Sequence, residues 1–102
     1  MPIYALNMTH SAAQCPVFNE DVRKKFREGF VKKEEVAEKH RVKVLVSCVA
    51  VLEHVIFYVV DAPSQSAVEE YLKEVALAFY NNVQIREVQF LEEATKRYKI
   101  LS

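Results

Sequence analysis

A chain of 102 residues with 14 basic and 14 acidic side chains has room for one domain. It lacks the net positive charge by which nucleic-acid and anionic-membrane binders are recognised. With 51% hydrophobic residues it should fold as a globular protein, and its one glycine, Gly29, excludes a phosphate-cradling loop or a dinucleotide fingerprint.

In chain order, residues 3–8 (IYALNM) are apolar enough for a first strand that starts after Pro2, where proline is tolerated. The small, polar stretch THSAAQCP follows. Asn19 is a plausible N-cap for a long helical stretch, because Glu20 and Asp21 occupy the first turn, where the helix dipole favours acids. Val22, Phe26, Phe30, Val36 and Ala37 follow helical spacing on its apolar side. Gly29 lies inside this pattern at a cost of about 1 kcal/mol relative to alanine, so it serves either close packing or a break before a second short helix.

Val42–Leu52 is rich in β-branched residues and predicts a second strand, Glu53–His54 a tight turn and Val55–Asp61 its antiparallel partner. Ser66 with Glu69 has the spacing of a capping box. Val68, Tyr71, Leu72, Val75, Ala76 and Phe79 then form the apolar face of a second helix, ended by Asn81–Asn82, since asparagine tolerates the left-handed conformation of helix ends. Val83–Leu91 reads as a last, edge strand. Residues 92–102 form either a short helix or a tail.

The order strand–helix–strand occurs twice, which predicts an α+β domain over residues 1–102 with the ferredoxin-like order β-α-β-β-α-β. It would hold a four-stranded antiparallel sheet with two helices on one face. The middle strands carry apolar side chains on both faces: Val42, Val44, Val46, Cys48, Ala50 and Leu52 on one side of the second strand, Leu45, Val49 and Val51 on the other. Two helices cover only one face. The other predicts a homodimer, two sheets packed face to face.

These elements, the strand ending in NMTH, the connection THSAAQCPVFN and the hairpin leading to HVIFYVVDAPSQSAVEEYL resemble the dimeric α/β-barrel superfamily. They are most similar to a small family of unknown function in which a Thr-His-(Ser/Thr)-x-x-x-Cys-Pro stretch follows the first strand. The resemblance covers nearly the whole chain and implies a dimeric α/β barrel. Relatives of that superfamily include monooxygenases and haem-degrading enzymes, so fold alone does not decide function.

In this topology the end of the first strand and the second hairpin share one end of the sheet, which brings His10 and Cys15 towards Glu53 and His54. Two imidazoles and a thiolate suit zinc, copper or non-haem iron, with a fourth position for water or substrate. Without metal, His10 could act as a base and Cys15 as a nucleophile or redox thiol, its pKa lowered by the helix that follows. The bland alternative is a histidine satisfying turn carbonyls and a cysteine filling space. His40, at the other end of the sheet, reads as a solvated cation, Cys48 as core, and Tyr4, Asn7 and Tyr58 as pocket lining or packing.

Three function classes follow. The first binds a small molecule or a metal near His10, Cys15 and His54, with monooxygenase-like redox chemistry as the superfamily analogy. The second is a tautomerase using Pro2 as an N-terminal base, since MPIY resembles the start of those enzymes. The third is a non-catalytic binding module. Charge balance predicts neither a nucleic-acid nor a membrane partner. No secretory signal is visible and no apolar run approaches the roughly 20 residues of a membrane span, which predicts a cytoplasmic protein with reduced Cys15 and Cys48.

Overall fold

The alternation of apolar residues in Ile3–Thr9 (β1) and Val55–Asp61 (β3) is the organising feature of the fold. Tyr4, Leu6 and Met8 of β1 and Ile56, Tyr58 and Val60 of β3 are all buried on one face of a sheet. Each such side chain contributes about 1.5–3 kcal/mol by leaving water. The computed structural model describes residues 1–101. The other strands are Lys43–Ala50 (β2) and Asn82–Val88 (β4), and the sheet is wholly antiparallel between neighbours in the order β2-β3-β1-β4. Because β3 lies between them, β1 and β2 run in the same direction.

The helices pack on the face that carries Tyr4, Leu6 and Met8. Each crossover has two helices rather than the expected one: Glu20–Phe30 (α1) and Lys33–His40 (α2) before β2, Gln65–Glu74 (α3) and Leu77–Tyr80 (α4) before β4. A further helix, Leu91–Arg97 (α5), follows β4. Asn19 caps α1 as its sequence context implies, accepting the Val22 N–H at 3.0 Å. Gly29 answers both readings of its position. A Cβ there would collide with the Val75 carbonyl and lie 2.8 Å from the Ala76 methyl, and α1 ends directly afterwards. Among the described residues no helix is long and apolar enough to cross a membrane.

Several local expectations need correction. The cap of α3 is Ser64, whose hydroxyl accepts the Ala67 N–H at 3.1 Å, and not Ser66. Between α3 and α4 the chain turns through Ala76 in the left-handed conformation (φ 66°), which rephases the helix. Leu77 and Tyr80 therefore point inward, and Phe79 is 59% exposed instead of continuing the apolar face. Asn81 is extended, not left-handed, and ends α4 with its side chain, Nδ2 donating to the Leu77 carbonyl at 2.9 Å.

β2 is shorter than Val42–Leu52, and its register shifts between Val44 and Val46, so that Val44 faces Val60 and Val46 faces Val59. This bulge at Leu45 moves every later side chain to the opposite face. Val46 and Cys48 consequently project from the helix-free face, and Cys48 is exposed, not core. The tight turn is a 3₁₀ turn over Val51–Glu53 closed by left-handed His54 (φ 58°). His40 does not stand free in solvent: its Nε2 lies 3.2 Å from the Glu74 carboxylate, beside Lys39.

Candidate metal centre

Ladder pairing brings the two histidines together. The β1–β3 register runs to Thr9 opposite Val55, and one step further the His10 N–H donates to the His54 carbonyl at 3.2 Å. The left-handed turn at His54 keeps its ring beside that of His10, centroids 5.3 Å apart and nearly edge to face. Glu53 is exposed and stands apart from the cluster.

Cys15 arrives from the other side. A 3₁₀ turn over Ala12–Gln14 delivers its backbone, and its carbonyl then accepts the Phe18 and Asn19 N–H groups at 3.0 and 2.8 Å. The thiol side chain is left inward and 3% exposed. Because α1 opens only at Glu20, Cys15 lies before the cap and outside the first turn, where the dipole is felt. The helix-start argument for this thiol therefore does not apply. One ligand atom from each of His10, Cys15 and His54 lies within 4.8 Å of the other two. A four-coordinate ion with Zn–N and Zn–S bonds of about 2.0 and 2.3 Å holds its ligand atoms roughly 3.3–3.8 Å apart.

Asn81 determines what His10 presents to this cluster. Its Nδ2 is committed to the Leu77 carbonyl, so the atom 2.8 Å from His10 Nδ1 is the amide oxygen, an acceptor. Nδ1 must then carry a proton, and in the neutral ring Nε2 holds the lone pair. That Nε2 is buried without a hydrogen-bond partner, as is His54 Nδ1. A second partner holding the far nitrogen of a histidine is the usual arrangement at metal sites. Asn81 was visible in the sequence only as half of a helix-ending pair, and nothing local links it to His10.

Tyr80 packs edge-on against the His10 ring at 5.1 Å, and burial pushes its phenol above the usual tyrosine range, with the Asn81 amide opposing and Cys15 and Tyr58 adding to the rise. Its hydroxyl stays protonated at neutral pH. Beside the cluster opens a cavity of about 320 Å³ that reaches His10, Cys15 and Tyr80. Tyr58 lines it, as one reading of its position implies; Tyr4 is instead packed in the core, and Asn7 lies on the helix-free face. Pro2 is at the opposite end of β1, its carbonyl accepting the Ala62 N–H at 3.1 Å, and does not join this site.

No known family's sequence model matches the chain. No curated protein matches it either. Solved structures do match. SCO4226 from Streptomyces coelicolor A3(2) aligns over 85% of this chain and 96% of its own, with a TM-score of 0.57 and 13% identity. A REP-associated tyrosine transposase bound to a REP hairpin aligns over 94% of this chain, with a TM-score of 0.54 and 8% identity, and this chain spans 61% of that protein. At such identities the likeness is one of fold alone.

Proposed function

We propose that this protein binds one transition-metal ion through His10, Cys15 and His54 within a ferredoxin-like, homodimeric α/β barrel, with the fourth coordination position turned to the neighbouring cavity. The observation that carries this reading is the buried lone pair of His10 Nε2, which has no partner in the chain although Asn81 fixes its proton on the other nitrogen. Leaving a buried acceptor unsatisfied costs about 1–3 kcal/mol, and a metal bound to it, to Cys15 and to His54 removes that cost. Two imidazoles and a thiolate form a borderline-soft set that suits zinc, copper or iron. A bound ion would act on a small substrate as a Lewis acid or redox centre, the latter in keeping with the superfamily's oxygenases.

Strand order β2-β3-β1-β4 supports the ferredoxin-like assignment. The dimer is supported by the apolar, exposed Val46 and Phe57 on the helix-free face, and by Leu91, Tyr98 and Leu101, which α5 and its end leave in solvent. The balance of 14 basic against 14 acidic residues speaks against nucleic acid as the partner, whatever fold is shared with a transposase.

The test is titration of metal-free protein with Zn²⁺, Cu²⁺ and Fe²⁺, read by elemental analysis after desalting. The expected result is one ion per chain for at least one metal, reduced to substoichiometric levels in His10→Ala, Cys15→Ser and His54→Ala, each shown by circular dichroism to be folded. Retention of no metal by the folded wild-type chain would end the metal reading.

A further inference from the structure

The cavity beside the cluster has a chemistry of its own. Phe26 and Phe30 of α1 form one wall, Ile56 and Tyr58 of β3 the floor, and Val49 and Val51 of the β2 end the far rim. No aspartate, glutamate, lysine or arginine side chain lines it. Of the polar groups it reaches, His10, Cys15 and Tyr80 meet at one end, and Ser47 lies opposite Tyr58 on the sheet. The rings of Phe26 and Phe30 stack with centroids 4.9 Å apart, and Phe26 meets Tyr80 edge-on at 6.4 Å, so that wall is aromatic.

The bulge at Leu45 builds this space. Without the register shift between Val44 and Val46, the residues facing the helices would be Val46 and Cys48. With it they are Ser47 and Val49, which places a small side chain opposite Tyr58. Bulges that re-aim side chains in this way occur preferentially beside functional sites.

From these features we infer that the cavity is a binding site for an uncharged, largely apolar small molecule with a flat aromatic body and a single polar head, the head directed at His10 Nε2. The inference rests on the donor cluster assigned above, but concerns the cavity, which exists with or without a metal. A volume of about 320 Å³ lies at the lower end of small-molecule pockets and admits a molecule of one or two rings. In the metal-free protein a carboxylate, phosphate or ammonium group on the body would lose its hydration against Phe, Val and Ile and gain no opposite charge. A neutral hydroxyl at the head is accommodated. In the metal-free protein it donates to the Nε2 lone pair, and with metal bound the same head would approach the open coordination position.

The experiment uses two probes that share one ring system, 2-naphthol, neutral at pH 7, and 2-naphthoate, an anion. Each is titrated by calorimetry and by amide shifts into metal-free and zinc-treated protein, alongside Val49→Asp, a rim substitution at a half-exposed position that puts a charge in the cavity, and His10→Ala. Saturable one-to-one binding of 2-naphthol is expected, with the largest shifts at Phe26, Phe30, Val49 and Tyr58. In metal-free protein affinity should be at least tenfold weaker for 2-naphthoate, and tenfold weaker for 2-naphthol in Val49→Asp and in His10→Ala. Equal or tighter binding of the anion by metal-free protein, or no 2-naphthol binding to the folded chain, overturns the inference. Binding of 2-naphthol by a chain that takes up no zinc would remove the metal reading and keep this one; zinc uptake without 2-naphthol binding does the reverse.

Discussion

His10 Nδ1 and Asn81 Oδ1 are 2.8 Å apart although 71 residues separate them in the chain, and this contact decides which imidazole nitrogen carries the proton in the neutral ring. A free histidine side chain in water prefers the proton on the other nitrogen, so the tautomer here is imposed by α4. In metal-free protein the ¹⁵N spectrum of the His10 ring should show the Nδ1–H form, and Asn81→Ala should shift it towards Nε2–H. Loss of a second partner of this kind typically costs 10–100-fold in metal affinity, and a drop of that size is expected for Asn81→Ala in competition with a chelator. Asn81→Asp keeps an acceptor for Nδ1 and should lose much less. An unchanged ring spectrum in Asn81→Ala would show that the contact does not set the tautomer.

Gly29→Ala should lower stability, although the same change in an ordinary exposed helix raises it by about 1 kcal/mol. At this position the new methyl would meet the Val75 carbonyl and the Ala76 methyl, both belonging to the kink between α3 and α4. The obstruction is backbone, which cannot rotate away, so overpacking of about 1–3 kcal/mol outweighs the gain in propensity. For a domain of this size each kcal/mol corresponds to roughly 4–8 °C in melting temperature. A variant that melts no lower than the parent would show that α1 does not need this close approach.

The parts of the fold carried by repetition were legible in the sequence. Alternation in β1 and β3 and the apolar spacing of Val68, Tyr71, Leu72 and Val75 each report one repeated environment, and four strands in the right order follow from them. The meeting of His10, Cys15 and His54 was legible too, because strand direction places the NMTH end and the second hairpin together. What could not be read are single-residue departures from regularity. Leu45 stands in a run of apolar residues that would suit either register, so the bulge left no trace, and Cys48 was assigned to the wrong face. Ala76 adopts a conformation that costs alanine about 1–2 kcal/mol and is offset by tertiary packing, so propensity pointed to a continuous helix with Phe79 on its apolar face and its end at Asn81–Asn82. Asn81 acquires its role only when β4 returns the chain to the end of β1.

Stability should fall at high pH through the buried tyrosines. Burial pushes Tyr71 up to about 12, with neighbouring Tyr58 adding to the effect, and Tyr58 itself is raised by burial. An unfolded tyrosine titrates near 10. Between roughly pH 10 and 12 the folded chain therefore holds protons that the unfolded chain has released, and stability declines as pH rises. Below pH 10 both states are protonated and the contribution is fully present. Urea midpoints at pH 8, 10 and 11 should show the decline, and Tyr71→Phe should reduce its slope while lysine titration stays common to both proteins. Parallel midpoints for the two proteins would show that Tyr71 releases its proton equally in both states.

The helix-free face of the sheet yields the last prediction. Phe57 lies near its centre, opposite Asn7 on β1 and Cys48 on β2, and is 44% exposed, with Val46 beside it on the bulged strand. Beyond the sheet, α5 has only seven residues, too few for a helix to persist in water without a surface to pack on. Its apolar Leu91 and the following Tyr98, Ile100 and Leu101 are exposed in the single chain. A second copy laid on this face would cover Phe57 and Val46 and offer α5 that surface. Light scattering should accordingly give twice the 11.8 kDa of one chain. Phe57→Glu places a charge in the middle of the contact without touching the helix-covered core, and should yield a folded monomer at micromolar concentration. Because the cavity lies on the other face, that monomer should still bind 2-naphthol. A wild-type particle of single-chain mass at the same concentration would show that no second copy covers the sheet face.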